Sequence, residues 1–284
     1  MNIIRVSGGI GNQMFQYALY LAFKIKGKDV KLDLSFYNTN SIHNNYELEK
    51  VFGIKADIAT KREVNTLAYY GDSKIVKIKK RILGLKKTHY IEKKFEYNPN
   101  IFNMDGFYLQ GYWQSYKYFM EYKKEVLEQF KFPKLKDEKN FDIAKKIRES
   151  NSVSIHVRRG DYVNHPLYEG ICDLNYYKEA IRRIQKIKGN NLTYFIFSND
   201  INWARNNLIL PDSYYIDWNT NEDSFIDMQL MAMCKANIIA NSTFSWWAAY
   251  MNSHKNNVVI CPKKWFNNKD MKTDDLLLDE WIKI

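Results

Sequence analysis

The sequence predicts an α/β fold in which parallel strands alternate with helices, and two observations carry that prediction. The second half of the chain alternates short β-branched runs with helical periods, as parallel sheets covered by helices do. The first half opens on a short apolar strand that meets a glycine-rich turn before a helix. With 284 residues, the chain can form one large α/β domain or two of ordinary size.

The first half carries fewer clear elements than the second. The predicted elements are a strand over 2–6, a helix with Phe15, Leu19, Phe23 and Ile25 at helical spacing, a strand over 30–34, a strand over 107–113 and a helix over 116–130. Over 38–46 the sequence follows neither a helix period nor a strand period clearly. Residues 131–140 contain Pro133 and dense charge, which is typical of a linker. We therefore predict two domains, 1–140 and 141–284.

The second half alternates regularly between the two kinds of element. The predicted strands are 152–157, 193–198, 213–216, 236–240 and 257–260, and the predicted helices are 175–188, 200–207, 222–234 and 243–252. Ligands bind beyond the carboxyl ends of the strands in such sheets, so the segments that follow strands are the first places to look for a site.

The chain carries a formal net charge of +11, which an anionic partner would explain. Much of the excess lies over 74–94, where a solvated helix face and a basic amphipathic helix on an anionic membrane are both open interpretations. Nucleic acid is disfavoured as a partner, because no zinc-finger spacing, RNP sequence or evident helix-turn-helix accompanies the charge.

Other features favour a cytoplasmic protein. The N-terminus lacks the apolar stretch of a signal peptide, and no long apolar run suits a membrane span. Cys172, Cys234 and Cys261 are an odd, widely spread set without a Cys-x-x-Cys pair, which fits a reducing compartment better than a disulfide framework. Peripheral contact with the inner face of the membrane through 74–94 stays open.

The most informative stretch is HVRRGDY, which begins at His156 at the end of a predicted strand. Arg158 and Arg159 offer planar forks of donors that match phosphate oxygens in pairs. At a strand end, with Asp161 and a glycine beside them, they predict a site for a phosphorylated ligand. A surface salt-bridge cluster that caps the strand is the structural alternative.

The turn that joins the first strand to the first helix reads GGIGNQM. Gly9 and Gly11 let backbone N–H groups approach a ligand at the helix N-terminus. Asn12 and Gln13 are uncharged amides, which suit sugar hydroxyls better than a pyrophosphate. The dinucleotide fingerprint is absent, since Met14 stands where its third glycine would. A plain tight turn is the alternative.

Two further segments complete the candidates. Asp223 and Asp227 are predicted to lie one turn apart on a helix, where a carboxylate could accept from the N1–H and N2–H groups of guanine. Acidic enrichment of a helix start is the alternative. The second segment comprises Asn241, Ser242, Thr243 and Phe244. It runs from a strand into a helix, and its hydroxyls can cap that helix or bind a phosphate or a base.

The sequence predicts neither a metal nor another cofactor. It contains no Asp-x-Asp pair, which many nucleotide-sugar enzymes use to hold a divalent cation. The histidines are scattered along the chain as His43, His89, His156, His165 and His254. An enzyme that releases a diphosphate here would have to neutralise it with side-chain cations, and the arginine pair fits that need.

Four stretches resemble glycosyltransferase family 11, the α-1,2-fucosyltransferases, in their bacterial type. They are GGIGNQMFQYA over 8–18, HVRRGDY over 156–162, FSNDINW over 197–203 and NSTFSWWAA over 241–249. They occur in family order, and the similarity spans nearly the whole chain. The resemblance implies an α/β fold of the GT-B type, with two Rossmann-like domains facing across a cleft. Residues 1–140 would be the acceptor side, and 141–284 would bind GDP-fucose.

The resemblance also implies a reaction, the transfer of fucose from GDP-fucose to the 2-hydroxyl of a β-galactoside. The anomeric carbon would be inverted without a required metal, in the biosynthesis of an O-antigen or another surface polysaccharide. Arg158 matches the arginine that grips the donor diphosphate, with His156 and Arg159 beside it on the same motif. Asn12 matches the asparagine near the fucose and the acceptor, whereas Asn199 stands where many relatives have aspartate.

The remaining residue roles follow from the same resemblance. Asp227 matches the aspartate that reads guanine. The segment that lines the base and phosphates is matched by Ser242, Thr243 and Phe244. The expected catalytic groups are Arg158, Asn12 and, as candidate proton acceptors, Asp161 and His156. Two other functions stay open, a transferase that uses another GDP-sugar and a non-catalytic nucleotide-binding protein.

Overall fold

The structure is a computed structural model that describes residues 1–38 and 45–284. The chain forms two units, each with its own parallel β-sheet. The first unit comprises Met1–Phe132 and Asp274–Leu276, and the second comprises Pro133–Thr273 and Leu277–Ile284. The passage from Phe132 to Pro133 falls inside the predicted linker over 131–140.

The first unit is built on a four-stranded sheet. In chain order it contains β1 (Asn2–Arg5), α1 (Ile10–Ile25), β2 (Val30–Asp33), α2 (Leu48–Phe52), α3 (Lys61–Leu67), α4 (Lys74–Leu83), β3 (His89–Ile91), β4 (Tyr108–Gln110) and α5 (Lys123–Gln129). The strands are parallel in the order β2-β1-β4-β3. The chain leaves β1 toward β2 and later adds β4 on the other side of β1. The gap between β1 and β4 is therefore the topological switch point, where open α/β sheets bind ligands.

The core of the first unit forms where α1 packs on the sheet. Ile3 and Ile4 of β1 are fully buried, as are Met14, Phe15 and Ala18 of α1. Helix α1 is buried nearly all round, which is typical of a helix enclosed by its own domain. It begins without an acidic residue or a side-chain cap, so the glycine turn alone defines its start.

The second unit is built on a six-stranded sheet. In chain order it contains α6 (Glu138–Glu149), β5 (Ser152–Val157), α7 (Leu174–Lys188), β6 (Thr193–Ser198), α8 (Ile201–Asn207), β7 (Ser213–Ile216), α9 (Phe225–Met233), β8 (Ala236–Ile238), α10 (Thr243–Tyr250), β9 (Val258–Cys261) and β10 (Ile282–Lys283). All strands are parallel in the order β10-β9-β8-β5-β6-β7. Every residue of β5 is buried. The switch point of this sheet lies between β5 and β8.

Most predicted elements of the second half are confirmed. The strands over 152–157, 193–198 and 213–216 agree to the residue, and most others differ by one or two residues at an end. The helix over 222–234 is wrong at its start, because α9 begins only at Phe225. Residues Asn221–Asp223 form a 3-10 turn instead, so Asp223 does not share the helix α9 with Asp227.

The predicted helix over 116–130 is wrong in its first half. Helix α5 begins only at Lys123, and two short 3-10 turns precede it. Tyr118 and Phe119 are buried, and Phe119 has a φ of −137°, so the packing of the two rings overrides the local helix pattern. The first strand and those predicted over 30–34 and 107–113 are present but shorter.

The sequence pattern does not predict α6, because its charged residues resemble a linker. Asp137 caps this helix by accepting from the N–H of Asn140 at 2.9 Å, and Ile143, Ala144 and Ile147 bury one face. The short elements α2, α3, β3 and β10 are also unpredicted. Each is too short to show a clear hydrophobic period.

Candidate active site

The switch point of the larger sheet lies between two segments that the sequence singles out. Arg158 follows β5 directly, and Asn241 and Ser242 join β8 to α10. Strands β5 and β8 pair in parallel, with Ile155 beside Ile238, so both segments leave the same edge of the sheet. This is the edge at which α/β sheets bind ligands.

The two arginines after β5 make different contacts. Arg159 is held by the protein, since its Nε donates to Asp200 Oδ2 at 3.2 Å and its guanidinium lies 4.3 Å from the Trp203 ring centroid. Arg158 pairs with Asp161, with 2.7 Å between Nη2 and Oδ1. Its side chain is 33% exposed, and its partner Asp161 is 60% exposed. The ion pair is therefore open to solvent, and a phosphate can reach the guanidinium.

Asn199 fixes the backbone of the arginine turn. Its Oδ1 accepts from the N–H of Arg159 at 2.9 Å. A Cβ atom added at Gly160 would lie 2.4 Å from Asn199 Nδ2, so a larger residue here would displace the Asn199 amide. An aspartate oxygen could accept the same N–H bond. The asparagine therefore makes the hydrogen bond that holds the turn, but it adds no negative charge to the site.

His156 lies inside the sheet edge. Its side chain is buried, and burial together with the nearby Arg158 charge lowers its pKa to about 3. The ring centroid lies 5.7 Å from that of Phe244. Such a weak base stays neutral at physiological pH and holds a transferred proton poorly, so the structure disfavours His156 as a proton acceptor.

The segment between β8 and α10 is anchored through Asn241. Its Nδ2 donates to the carbonyl of Trp265 at 3.1 Å, and its own carbonyl accepts from the Tyr162 hydroxyl at 3.2 Å. Ser242 stands at the N-cap position of α10 but makes no side-chain capping bond there. The expectation that this serine caps the helix is therefore wrong. Its hydroxyl is not spent on capping, which favours the phosphate-binding interpretation.

An open pocket of about 210 Å³ lies beside this edge. Arg158 and Asn241 both line it, together with the rings of Tyr162 and Tyr168, which stack with centroids 4.3 Å apart. Arg159 lines it as well, so the pocket combines the guanidinium groups of both arginines with aromatic surface. Asp227 does not line it.

Asp227 belongs to a separate, half-buried network in the second unit. Asn219 Nδ2 donates to Asp227 Oδ1 at 2.8 Å and to Asn140 Oδ1 at 3.0 Å, and Trp218 Nε1 also donates to Asn140 Oδ1 at 3.0 Å. Burial raises the pKa of Asp227 to about 7, although the bond from Asn219 opposes the rise. A desolvated carboxylate of this kind gains from further donors, such as those of a guanine edge.

The glycine turn of the first unit is closed by its own amides. Gly8 has a φ of +82°, and a Cβ there would lie 2.5 Å from Asn12 Nδ2, so the turn requires glycine. Gln13 is fully buried, and its amide donates to two backbone carbonyls at 3.1 and 2.8 Å and accepts from one N–H at 2.8 Å. One of these bonds is to Gly8 in the turn, and the other two are to Asn45 and Glu47. Gln13 therefore ties the turn to the segment before α2. Gly11 is buried, whereas Gly9 and Asn12 are partly exposed.

Across the first switch point, the turn after β4 contributes residues that the sequence reasoning missed. Gln114 Nε2 donates to Asn12 Oδ1 at 2.8 Å and so joins the loops that follow β4 and β1. Trp113 has a φ of +55°, which is rare for a bulky residue and concentrates at functional sites. A glycine and an amide directly after a strand, Gly111 and Gln114, repeat the signal of the first glycine turn.

Glu92 holds that turn from the end of β3. Its Oε2 accepts from the N–H groups of Tyr112 at 2.8 Å and Trp113 at 3.2 Å. A Cβ at Gly111 would lie 2.5 Å from Glu92 Cβ, so the carboxylate packs directly on the turn. Burial raises the pKa of Glu92 to about 7. No sequence signal predicts this residue, because its contacts are to distant backbone groups.

The described residues do not form a metal centre. Within 1–38 and 45–284, no three His, Cys, Asp or Glu side chains come together in a way that could hold a metal ion. His43 lies outside the described residues.

Comparison with known sequences identifies the family. The profile of Glycosyl transferase family 11 matches residues 1–284. The chain belongs to glycosyl transferase family 11. This confirms the family that the four motifs indicate, and it makes the chain a glycosyltransferase that uses a sugar donor.

Individual relatives of this family 11 chain differ in the sugar that they are named for. The alpha-1,2-colitosyltransferase of Escherichia coli is 33% identical over 99% of this chain and 98% of its own length. The O-antigen biosynthesis glycosyltransferase WbnK of the same species is 34% identical, with 98% and 99% covered. Galactoside 2-alpha-L-fucosyltransferase SEC1 of Bos taurus is 24% identical, with 87% and 63% covered.

Among solved structures, a variant of Arabidopsis thaliana FUT1 in complex with GDP is similar to this chain. The TM-score is 0.51 at 11% sequence identity, with 91% of this chain and 69% of that chain covered. At this identity the similarity shows the fold alone. It confirms the predicted α/β fold of the GT-B type.

Proposed function

We propose that this family 11 enzyme transfers L-fucose from GDP-fucose to the 2-hydroxyl of a β-galactoside, with inversion at the anomeric carbon. The observation that carries the proposal is Arg158 at the switch point of the larger sheet, beside the uncapped start of α10. The four motifs and the fucosyltransferase relative support the donor and the linkage.

Arg158 would act on the leaving group. When the bond between fucose and the diphosphate breaks, its electron pair stays on the β-phosphate oxygen. That growing charge is bound by the guanidinium, by the N–H groups at the start of α10 and by the hydroxyls of Ser242 and Thr243. These contacts are stronger in the transition state than in the ground state. One such contact contributes about 3–4 kcal/mol to the lowering of the barrier. Phe244 follows them in the same segment, and we propose that it lines the nucleotide site.

The acceptor hydroxyl attacks carbon 1 of fucose from the opposite face and loses its proton. Of the two predicted proton acceptors, the geometry favours Asp161, whose side chain is 60% exposed, over the buried, neutral His156. Asp161 pairs with Arg158 in this structure. A diphosphate that binds Arg158 would release the carboxylate for this role.

Asp227 would read the base of the donor. Its raised pKa shows a desolvated carboxylate, and the N1–H and N2–H groups of guanine are two donors that stabilise the ionised form. Only one of its oxygens is bonded to Asn219. We propose that this contact selects guanine nucleotides over adenine nucleotides, which lack that pair of donors.

The first unit would bind the acceptor. Asn12 and Gln114 are neutral amides joined at its switch point, and amides can both donate to and accept from sugar hydroxyls. Gly9 beside them leaves room for a sugar ring. The division of labour between residues 1–140 for the acceptor and 141–284 for the donor is part of the proposal, with Arg159 holding the donor-side turn.

The colitosyltransferase relative favours a second candidate, the transfer of colitose from its GDP derivative. Colitose is L-fucose without the hydroxyl at carbon 3. A site that hydrogen-bonds this hydroxyl rejects colitose strongly, whereas an apolar site discriminates weakly. The two donors therefore separate the two candidates.

The test is a product assay with purified protein, each GDP-sugar in turn and a panel of β-galactosides, with the linkage read by NMR. We expect an α-1,2-linked fucosyl product and a higher kcat/KM for GDP-fucose than for GDP-colitose. A reversed preference establishes the second candidate. If the folded protein converts neither donor but consumes another nucleotide sugar, the proposal is wrong.

We further propose that the enzyme works in the cytoplasm, without a metal, in the biosynthesis of an O-antigen or another surface polysaccharide. The WbnK relative supports the pathway class, and three free cysteines support a reducing compartment. Nucleic acid has no place in this proposal.

A further inference from the structure

Helix α4 presents an apolar face to solvent. Ile75, Ile78 and Ile82 are 78%, 57% and 74% exposed, and no residue of the helix is buried. Their spacing of three and four residues places them in one row. An amphipathic helix that packs on its own domain turns such a row inward. The isoleucine row of α4 points outward and is left without a partner.

Polar contacts hold α4 to the protein. Lys80 Nζ lies 3.5 Å from Asp72 Oδ1, and Lys79 Nζ lies 4.9 Å from the Tyr69 ring centroid. Just past the last turn, Leu85 is also 44% exposed and adds apolar surface beyond the helix. These contacts do not involve the isoleucine row.

Cations border the isoleucine row. Lys74, Lys77 and Arg81 are exposed, and among the described residues none of the three forms an ion pair. The segment 74–94 contains nine lysine and arginine residues against one glutamate. Apolar side chains and a local excess of positive charge therefore occupy the same surface.

The helix is formed before any partner binds. Ser73 Oγ accepts from the N–H of Val76 at 3.3 Å and so caps the first turn. Gly84, with a φ of +71°, ends the helix. Within the described ranges, no helix combines the length and the apolar character needed to cross a bilayer.

We propose that α4 docks on the surface of an anionic bilayer, with the isoleucine row among the acyl chains and the bordering cations on lipid phosphates. This inference goes beyond the transfer reaction and does not depend on the sugar donor. A second copy of the chain fits the surface less well, because like charges on both copies would repel. A nucleic acid would satisfy the cations but leave the isoleucines in water.

The first experiment is co-sedimentation with vesicles of phosphatidylcholine alone and with vesicles that also contain phosphatidylglycerol. We expect the protein to bind the mixed vesicles and to bind them less at high salt. The combined change Ile75→Ser, Ile78→Ser and Ile82→Ser should reduce partitioning by about 1,000-fold, at about tenfold for each isoleucine. Ile209→Ser is the matched control, because Ile209 is 80% exposed but lies in the other unit. It should bind as the wild type does.

The second experiment separates the local patch from the net charge. One variant combines Lys74→Glu, Lys77→Glu and Arg81→Glu. The other places the same charge change on exposed lysines elsewhere, as Lys55→Glu, Lys255→Glu and Lys269→Glu. We expect the first to lose binding to anionic vesicles and the second to keep most of it. Thermal unfolding of every variant shows whether lost binding reflects lost structure.

Several results would overturn the proposal. One is a wild-type protein that ignores anionic vesicles, and another is a folded triple-serine variant that binds them as well as the wild type. Loss of a dimer in the triple-serine variant would assign the face to a second copy of the chain. Tighter binding to duplex DNA than to vesicles would assign it to nucleic acid.

Discussion

The two switch points occupy equivalent places in their sheets but carry different chemistry. In the second unit, the edge carries Arg158 and the hydroxyl-rich start of α10. In the first unit, the corresponding edge carries the amides Asn12 and Gln114, with the carboxylate of Glu92 behind them. The second unit's edge presents a cation to its pocket, whereas the first unit's edge presents neutral amides, because Arg5 at the end of β1 pairs with Asp72.

Under the proposed function, this difference would let the second unit bind the donor and the first unit bind the acceptor. Strand order determines where a ligand binds, and the loops that follow the strands determine which ligand binds. A guanidinium fork matches a diphosphate, whereas amides match hydroxyls that both donate and accept. We therefore expect variants at the two edges to affect different substrates.

The largest effect should come from Arg158→Ala. We expect kcat to fall by about 100-fold or more, because the contact to the developing oxyanion is worth about 3–4 kcal/mol. Arg158→Lys should not restore it, since lysine keeps the charge but loses the fork. Steady-state kinetics with GDP-fucose and a galactoside measures both variants.

Arg159→Ala is the matched control for this prediction. Its guanidinium contacts Asp200 and Trp203, so its loss should lower stability more than kcat. Equal losses of kcat in the two alanine variants, or near-normal kcat for Arg158→Lys, would remove Arg158 from its role.

The next effect should come from Asp227→Ala and Asp227→Asn. The asparagine keeps an oxygen for the Asn219 bond but turns an NH₂ group toward the donors of guanine. Both variants should lose about 1–3 kcal/mol of GDP binding. The loss should appear as a raised KM for GDP-fucose with little change in kcat. Calorimetric titration with GDP gives the affinity directly.

The pH dependence of GDP binding sharpens this prediction. Guanine donors favour the ionised carboxylate, so binding lowers the pKa of Asp227 from about 7 and releases a proton. The GDP phosphate also ionises in this range, in both proteins. Affinity should therefore increase more steeply as the pH rises through about 7 in the wild type than in Asp227→Asn. If Asp227 only stabilises the first turn of α9, the variants should lower the melting temperature without changing the affinity for GDP. That result would contradict the guanine contact.

Glu92→Gln should change stability rather than donor binding. Burial raises the pKa of Glu92 from its ordinary value of 4.5 to about 7, so the folded protein binds this proton more tightly than the unfolded chain. The stability from that proton is full below about pH 4.5 and is lost as the pH rises through about 7. The pH-dependent loss between about pH 5 and pH 8 should be on the order of 1–2 kcal/mol larger in the wild type than in the variant.

Chemical denaturation at the two pH values measures this difference. Asp227 also has a raised pKa and contributes in the same direction, but it does so equally in both proteins. The difference therefore isolates Glu92. Parallel pH profiles for the wild type and Glu92→Gln would show that the carboxylate of the folded protein titrates normally.

Gln114→Ala should have a smaller effect, confined to the acceptor. Loss of the amide that bonds Asn12 should raise the acceptor KM by roughly fivefold, as expected for about 1 kcal/mol from one hydrogen bond. The affinity for GDP should not change. A raised KM for GDP-fucose with a normal acceptor KM would reverse the assignment of the two edges.

Treatment with EDTA should have no effect on the rate. Arg158 and the start of α10 would neutralise the leaving diphosphate without a metal. Assays with and without the chelator check this. Activity that vanishes with EDTA and returns with manganese would show that a metal ion, and not Arg158, neutralises the diphosphate.

Part of the candidate site can be predicted from the sequence, because charged residues rarely follow a buried strand without a function. The HVRRGDY stretch stands out for this reason, and the strand before it is confirmed to the residue. Residue type alone does not separate Arg158 from Arg159, and it is the family resemblance that assigns the diphosphate to Arg158. The fold adds the contacts of Asp200 and Trp203 with Arg159.

The neutral edge is harder to predict than the cationic one. Gln13 stands in a motif, but its amide binds the backbone of Gly8, Asn45 and Glu47. Gln114 lies outside any recognised motif and donates to Asn12. Glu92 is hidden for a different reason, since it acts through backbone N–H groups far along the chain. Side chains that bind backbone leave no pattern in the sequence.

The placement of the tryptophans gives the protein an optical reporter of its own. Five of the indoles are buried, at Trp113, Trp246, Trp247, Trp265 and Trp281. The two that solvent partly reaches are Trp203, under the Arg159 guanidinium, and Trp218, which is bonded to the network of Asp227. A nucleotide bound as proposed would place its phosphates near the first indole and its base near the second. Intrinsic fluorescence in Trp203→Phe and Trp218→Phe would therefore follow each end of the donor separately, without any label.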